Sequence, residues 1–435
     1  MIIDNHPFTV NEQGHLEIGG LDSVTLAKKY GTPLYVYDVQ MIRDNCRAFV
    51  NTLQNMGVTA KVAYASKAFS SIAMVQVIKQ EGMYLDVVSE GELYTAIQAG
   101  YPTEKIHFHG NNKSVAELRM AIEHNIGCIV VDNFQEMEHI CSLLKTYDKQ
   151  MDVLMRVTPG IESQTHQYIM TGNEDSKFGF SLQNGQAETA FLQMRDNPHI
   201  RFRGLHCHIG SQIFEADRFI LATNVLFEEL RTWKKKHGYI PNVLNLGGGY
   251  GIRYTKDDSP IPYASFVKEL VNEVKHQVES LAIPMPEIWL EPGRAIAGNA
   301  GITLYTVGSM KEIPGIRNYV AVDGGMTDNL RPALYQAKYE AVLANKAAVP
   351  SETTVSIAGK CCESGDMLIW DLPLPHVSQN DILAVFSTGA YGYSMANHYN
   401  RFAKPAVVFV ENGDDKLVVQ RETYQDVIRN DLSYE

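Results

Sequence analysis

Short runs of apolar, β-branched and aromatic residues recur between residues 60 and 291, and longer stretches with helical spacing separate them. The runs fall at 60–65 (AKVAYA), 84–88 (YLDVV), 105–109 (KIHFH), 127–131 (GCIVV), 152–157 (DVLMRV), 202–208 (FRGLHCH), 243–247 (VLNLG) and 287–291 (EIWLE). Their length and composition predict strands. The stretches 71–80, 92–99, 114–124 and 214–236 predict helices; in the third, Val115, Leu118, Ala121 and Ile122 recur at helical spacing. Strands alternating with helices imply parallel pairing, and eight such units in about 250 residues match an α/β fold of the (β/α)8 TIM-barrel type. An open doubly wound sheet is the rival. Its glycine-rich loop would more often follow the first strand, whereas here it follows the seventh.

Past residue 300 the rhythm changes. NYVAVDGG, TTVSIAG, DILAVFSTG, PAVVFV and KLVVQR are short, alternating and separated by turn residues. They predict a C-terminal, mostly antiparallel β domain. The first 37 residues, with a helix-like piece at 23–29 and the β-rich PLYVY, are assigned to it. The expected division is a barrel over 38–300 and a β-sandwich or barrel-like domain from 1–37 plus 301–435.

Composition narrows the function. The net charge of −12 argues against a general nucleic-acid binder, and no Lys/Arg run suggests a membrane-surface patch. The start, MIIDNHPFTV, has neither the basic region nor the apolar core of a signal peptide. No apolar run approaches the roughly 20 residues of a bilayer span. Six cysteines in so long a chain form no disulfide framework, so reduced thiols in the cytoplasm are expected. Cys361 and Cys362 have no CxxC partner or matching histidine spacing to make a metal site.

The polar residues follow the runs, which in a barrel gathers them on the C-terminal face, where such enzymes place their chemistry. Lys67 follows the first run among small residues, well placed to present an amine; a strand-end lysine is otherwise a solvated surface charge. Gly247–Gly251 (GGGYG) can wrap a phosphate with backbone amides or be a plain turn. Gly210 and Ser211 could add donors. Glu291 and Arg294 could hold two parts of one ligand or pair with each other. His206 and His208 (HCH) alternate on one strand. A metal reading lacks the further histidines and aspartate that amidohydrolases carry, so none is assigned. One of the two could lie flat on an aromatic cofactor, leaving the other as a satisfied core residue. Lysine, phosphate cradle, carboxylate and flat histidine together suit pyridoxal 5'-phosphate.

YASKAF, LDVVSEGEL, HFHGNNKS, THQYIMTGNEDSKFGF, GLHCHIGSQ, LNLGGGYGIRY, EPGRAIAGNAG, VDGGMTDNLRPALYQAKYEA, CCESGD and GAYGYSMANHYN occur in this order. In these motifs the chain resembles the diaminopimelate decarboxylase family from end to end. Glu90 departs from the family pattern, which has glycine there. The resemblance implies pyridoxal 5'-phosphate bound by Lys67 as Schiff-base lysine, with His208 on the ring, Ser211 and Gly249 on the phosphate and Glu291 at the ring nitrogen. It adds Asp86, Gly248, Gly293, Arg294 and Tyr391 to the cofactor set. Arg294, Arg331, Tyr335, Glu363 and Tyr391 would bind the amino-acid substrate. Cys362 would deliver the proton, with Lys67 as the alternative donor. Cys362 and Glu363 would enter from the partner of a homodimer.

Arg294 and Arg331 call for a carboxylate at the substrate's far end, and Glu363 could answer an ammonium beside it. meso-Diaminopimelate has both. An alanine-racemase-like enzyme would need no arginine pair, and a carboxynorspermidine-type decarboxylase requires a substrate panel to separate. A non-catalytic regulator would be expected to lose Lys67 or Cys362, and both are present.

Overall fold

A computed structural model describes residues 6–160 and 175–435. Residues 165–174 of THQYIMTGNEDSKFGF, and the first five of the chain, lie outside the described residues. The chain divides into two compact units. One comprises Arg43–Ile252 and Pro260–Ile296; the other comprises the chain up to Ile42, Arg253–Ser259 and Ala297–Glu435.

In the first unit the eight runs form β1 (Ala60–Ala65), β2 (Tyr84–Val87), β3 (Ile106–Phe108), β4 (Cys128–Val131), β5 (Met151–Thr158), β6 (Ile200–His206), β7 (Val243–Asn245) and β8 (Glu287–Leu290). Each pairs in parallel with the next, and β8 returns to β1 with Ile288 opposite Ala60. The expected barrel is therefore closed. Cys128, Val130, Leu154, Val243 and Trp289 form one buried cluster of its strands. This double burial is why the strands read as near-continuous apolar runs.

Side-chain caps fix where the following helices begin. Ser71, Ser89, Ser114 and Asn133 each accept a backbone N–H at the start of helices Ile72–Gln80, Glu90–Gln98, Val115–Glu123 and Phe134–Tyr147. These caps satisfy donors that the first helical turn leaves orphaned. Glu117 completes a capping box at Ser114. Each connecting loop is thus pinned soon after its strand. Glu90 is the first residue of its helix and is not among the residues with positive φ, so this backbone does not require glycine there.

The second unit carries a mostly antiparallel sheet. Its path runs Met367–Leu374, Thr353–Ala358, Arg317–Val322, Gly301–Ile313, Leu34–Asp38, Ala406–Glu411 and Asp414–Val419. Two pairings are parallel: Arg317–Val322 with Thr353–Ala358, and Leu34–Asp38 with Ala406–Glu411. Gly301–Ile313 shifts register between Val307 and Met310, so its halves pair with different neighbours. Leu34, Val36, Ile302, Leu304, Val408 and Val410 belong to this unit's core.

Candidate active site

Lys67 sits in the single turn Ser66–Ala68 that directly follows β1, and it is exposed. The end of β1 is tied to the loop after β8, where the Ala65 N–H donates to the Pro292 carbonyl at 3.1 Å. A Cβ on Gly293 would stand 2.9 Å from that of Ala65, so the loops approach this closely only with glycine there.

Beside them lies a buried polar cluster built from five strand ends. The Glu291 Oε1 accepts from the Asn245 amide at 2.6 Å and lies 2.9 Å from the His109 Nε2. Its Oε2 lies 3.0 Å from the His206 Nε2. The same His109 nitrogen is 3.7 Å from the Asp86 Oδ1. Burial alone would protonate Glu291, but the facing imidazoles of His109 and His206 outweigh it and hold the group well below the usual carboxylate range. Asp86 is pushed up to about 6, chiefly by burial, with His109 opposing. Burial also works against a charged His109, yet Asp86 and Glu291 prevail and its pKa rises. His206 is pushed down to about 4 by burial.

The two histidines of HCH do not act as a pair. β6 ends at His206, and Phe202–Gly204 contains a register shift. His206 turns to Glu291. His208, beyond the strand, accepts the Gly248 N–H on Nδ1 at 3.2 Å. Accepting there requires an imidazole unprotonated at Nδ1. Burial, together with the charges of Lys67 and Arg156, holds His208 well below its ordinary pKa. His206, the expected core residue, is buried and meets a buried carboxylate on one nitrogen; among the described residues its Nδ1 has no hydrogen-bond partner. His109, His206 and Glu291 bring potential ligand atoms within 4.8 Å of one another. The two imidazole contacts to one carboxylate account for that spacing without a cation.

The loops after β6 and β7 make the cradle. Ile213 N–H donates to the Gly249 carbonyl at 2.9 Å, and Gly251 N–H to the Ile213 carbonyl at 2.8 Å. Gly249 has φ +115°, and a Cβ on it would lie 2.3 Å from the Gly210 carbonyl oxygen. One on Gly248 would lie 2.0 Å from that of Glu291. The Arg294 Nη2 donates to the Ser211 Oγ at 2.9 Å. Arg294 thus reaches the serine, and the alternative of a Glu291–Arg294 pair is not what organises either group. The barrel brings Lys67, Asp86, His208, Ser211, Gly248, Gly249, Glu291, Gly293 and Arg294 to the carboxyl ends of its strands.

The other predicted residues belong to the second unit. Arg331 opens the short helix Arg331–Tyr335, is buried and donates to the Tyr339 hydroxyl. Its guanidinium stands 4.8 Å from the centre of the Tyr254 ring. Tyr335 is half-buried at the end of that helix. Tyr391 has φ +62°. Cys362 is exposed, with its N–H on the Asn400 Oδ1 at 2.8 Å. Glu363 Oε1 accepts the Gly365 N–H at 3.3 Å. The neighbouring Cys361 is pushed up to about 12 by burial and by Asp366, so it stays a thiol. His109, His206 as a carboxylate partner, and Asn245 were missed as site residues. Their signal was a polar side chain at or near the end of an apolar run, which becomes informative only once the barrel brings those ends together.

Residues 39–298 match the model of the family described as pyridoxal-dependent decarboxylase, pyridoxal binding domain. The chain is 63% identical to a diaminopimelate decarboxylase of Bacillus methanolicus, over 95% of this chain and 96% of that one. It is 60% identical to the diaminopimelate decarboxylase of Bacillus subtilis, over 98% and 97%. Among solved structures, diaminopimelate decarboxylase from M. jannaschii in co-complex with L-lysine superposes with a TM-score of 0.92 at 35% identity, over 99% of both chains. A closed parallel barrel with a lysine after its first strand, a glycine cradle after its seventh and an ionised carboxylate after its eighth agrees with that kinship, and the chain belongs to the diaminopimelate decarboxylase family of pyridoxal-dependent decarboxylases.

Proposed function

We propose that this chain converts meso-2,6-diaminopimelate to L-lysine and CO2, the last step of lysine biosynthesis, with pyridoxal 5'-phosphate as cofactor. One observation carries the reading. Lys67 and a carboxylate kept ionised by two histidines stand at the ends of adjacent strands, in a chain that aligns nearly throughout with decarboxylases of diaminopimelate.

The donor set fits the cofactor. Gly248 and Gly249 form walls that a Cβ would fill, and Ser211 stands beside them with Arg294. These would hold the phosphate. Lys67 would bond the aldehyde carbon, His208 and Gly293 would flank the ring, and Glu291 and Asp86 would face its nitrogen. Bound there, the cofactor supplies an electron sink for the pair left on Cα when CO2 departs. The rest is the chain's work. Glu291, ionised, keeps a proton on the ring nitrogen. Arg294, Arg331 and Tyr335 hold substrate carboxylate, which sets which Cα–C bond stands ready to break. Tyr391 borders both cofactor and substrate. Glu363 receives the distal ammonium, and Cys362 gives its thiol proton to Cα.

The chain acts as a homodimer in which Cys362 and Glu363 serve the partner's barrel. The exposure of Cys362 supports this. Six free cysteines favour the reducing cytoplasm. Among the described residues no helix is long and apolar enough to cross a membrane.

The test supplies meso-diaminopimelate to the holoenzyme and follows CO2 and lysine, which should appear in equal amounts. Borohydride should then fix the cofactor to wild type and not to Lys67→Ala. No CO2 from loaded enzyme would sink the reading.

A further inference from the structure

Two of the second unit's motifs meet at one carboxylate, and a third is bonded to both of them. Asp366, the last residue of CCESGD, is 3% exposed. Its Oδ1 accepts the Met326 N–H at 2.6 Å, and its Oδ2 accepts the Cys361 N–H at 2.8 Å. The backbone continues the stitch: Gly359 N–H donates to the Asp366 carbonyl at 2.9 Å, and Lys360 N–H to the Gly324 carbonyl at 3.0 Å. The third motif closes the other side. Asn400 accepts the Cys362 N–H, and Asn397 N–H donates to the Thr327 carbonyl at 2.9 Å.

Glycines wall the slot in which the carboxylate lies. A Cβ on Gly325 would stand 2.5 Å from both oxygens, and one on Gly359 2.1 Å and 2.2 Å from them. Both glycines therefore leave room for this side chain. Bonds from N–H groups to a buried carboxylate are charge-assisted and costly to leave unmade. The Gly325 carbonyl in turn accepts from the N–H groups of Asp328 and Asn329 at 3.1 Å and 2.9 Å, just before the Arg331 helix.

We propose that Asp366 is a positioning residue for the decarboxylation: it locks the loop bearing Cys362 and Glu363 to the loop that delivers Arg331. The inference rests on the roles proposed above for Cys362 and Arg331. In the homodimer these two act in different sites, so the clasp ties one site's substrate contact to the other's proton donor.

Asp366→Asn keeps one acceptor but turns an NH2 toward the second N–H, so one loop is released. In Asp366→Asn holoenzyme the cofactor absorption should match wild type. Alkylation of Cys362 by iodoacetamide, read by peptide mass spectrometry, should change at least about threefold. Turnover should fall about tenfold or more, since misplacement by about 1 Å can cost about a hundredfold. A folded, loaded variant with wild-type turnover and Cys362 alkylation overturns the proposal. A wild-type measurement guards against a variant that does not fold. The amides of Met326 and Cys361 should exchange hydrogen at matching rates, and protection at one without the other also overturns the clasp. If wild type releases no CO2, the decarboxylase reading fails, while exchange and alkylation still judge the clasp.

Discussion

A carboxylate buried at a strand end would ordinarily take up a proton, and Glu291 is prevented from doing so by imidazoles at both its oxygens. The two histidines do this differently. His109 rises toward the charged form between Asp86 and Glu291, whereas His206 is driven toward the neutral form. For His206, the folded pKa of about 4 lies below the ordinary 6.5. Between those values the unfolded chain binds a proton that the folded chain does not, so this group's contribution to stability rises with pH. Asp86, raised from 3.8 to about 6, acts in the opposite sense over its own window. His206→Asn should therefore flatten the gain in denaturant midpoint between pH 4 and 6.5. A variant with the wild-type slope would assign that gain to another group. At this scale Lys67 and Glu291 were legible because each closes a strand in a distinctive motif. Asn245 was not, since one polar residue inside VLNL acquires meaning only when Glu291 arrives from 46 residues further on.

At the scale of elements, the barrel was legible because its strands are buried throughout and so write themselves as apolar runs. The HCH motif straddles the end of a strand: strict alternation assumes an unbroken strand, but β6 stops at His206, so His208 lies beyond it. No local signal marked that end. The glycine cradle gives a sharp expectation. In Gly248→Ala the new Cβ would meet the Glu291 carbonyl, moving the carboxylate's own backbone. The apoenzyme should bind pyridoxal 5'-phosphate at least about tenfold more weakly, near 1.4 kcal/mol, in an absorption titration. Wild-type affinity in a folded variant would remove Gly248 from the cradle.

For the molecule as a whole, the change of rhythm near residue 300 announced the β unit, and its sheet is mostly antiparallel as expected. What the chain order conceals is Arg253–Ser259, a polar segment between barrel elements that groups with the β unit. Its ties are long-range: Ser387 Oγ donates to the Arg253 carbonyl, and Lys256 N–H to Glu340. The proposed sharing of sites between two copies makes the dimer testable. Lys67→Ala and Cys362→Ala homodimers should each be nearly inactive, and mixing them after dissociation should restore activity through hybrids holding one intact site. No recovery from verified hybrids would place both residues in the same chain's site.

The walls of the proposed phosphate cradle are main-chain carbonyls, those of Gly210 and Glu291. Main chain cannot be exchanged by mutation as side chains can. Anyone wishing to redirect the enzyme to another amino acid therefore has little to gain from libraries at positions 247–249. Diversity belongs instead at Arg331, Tyr335 and Glu363, the positions proposed above to meet the substrate, which belong to the other unit. The fold separates a part that resists change from a part on which selection can act.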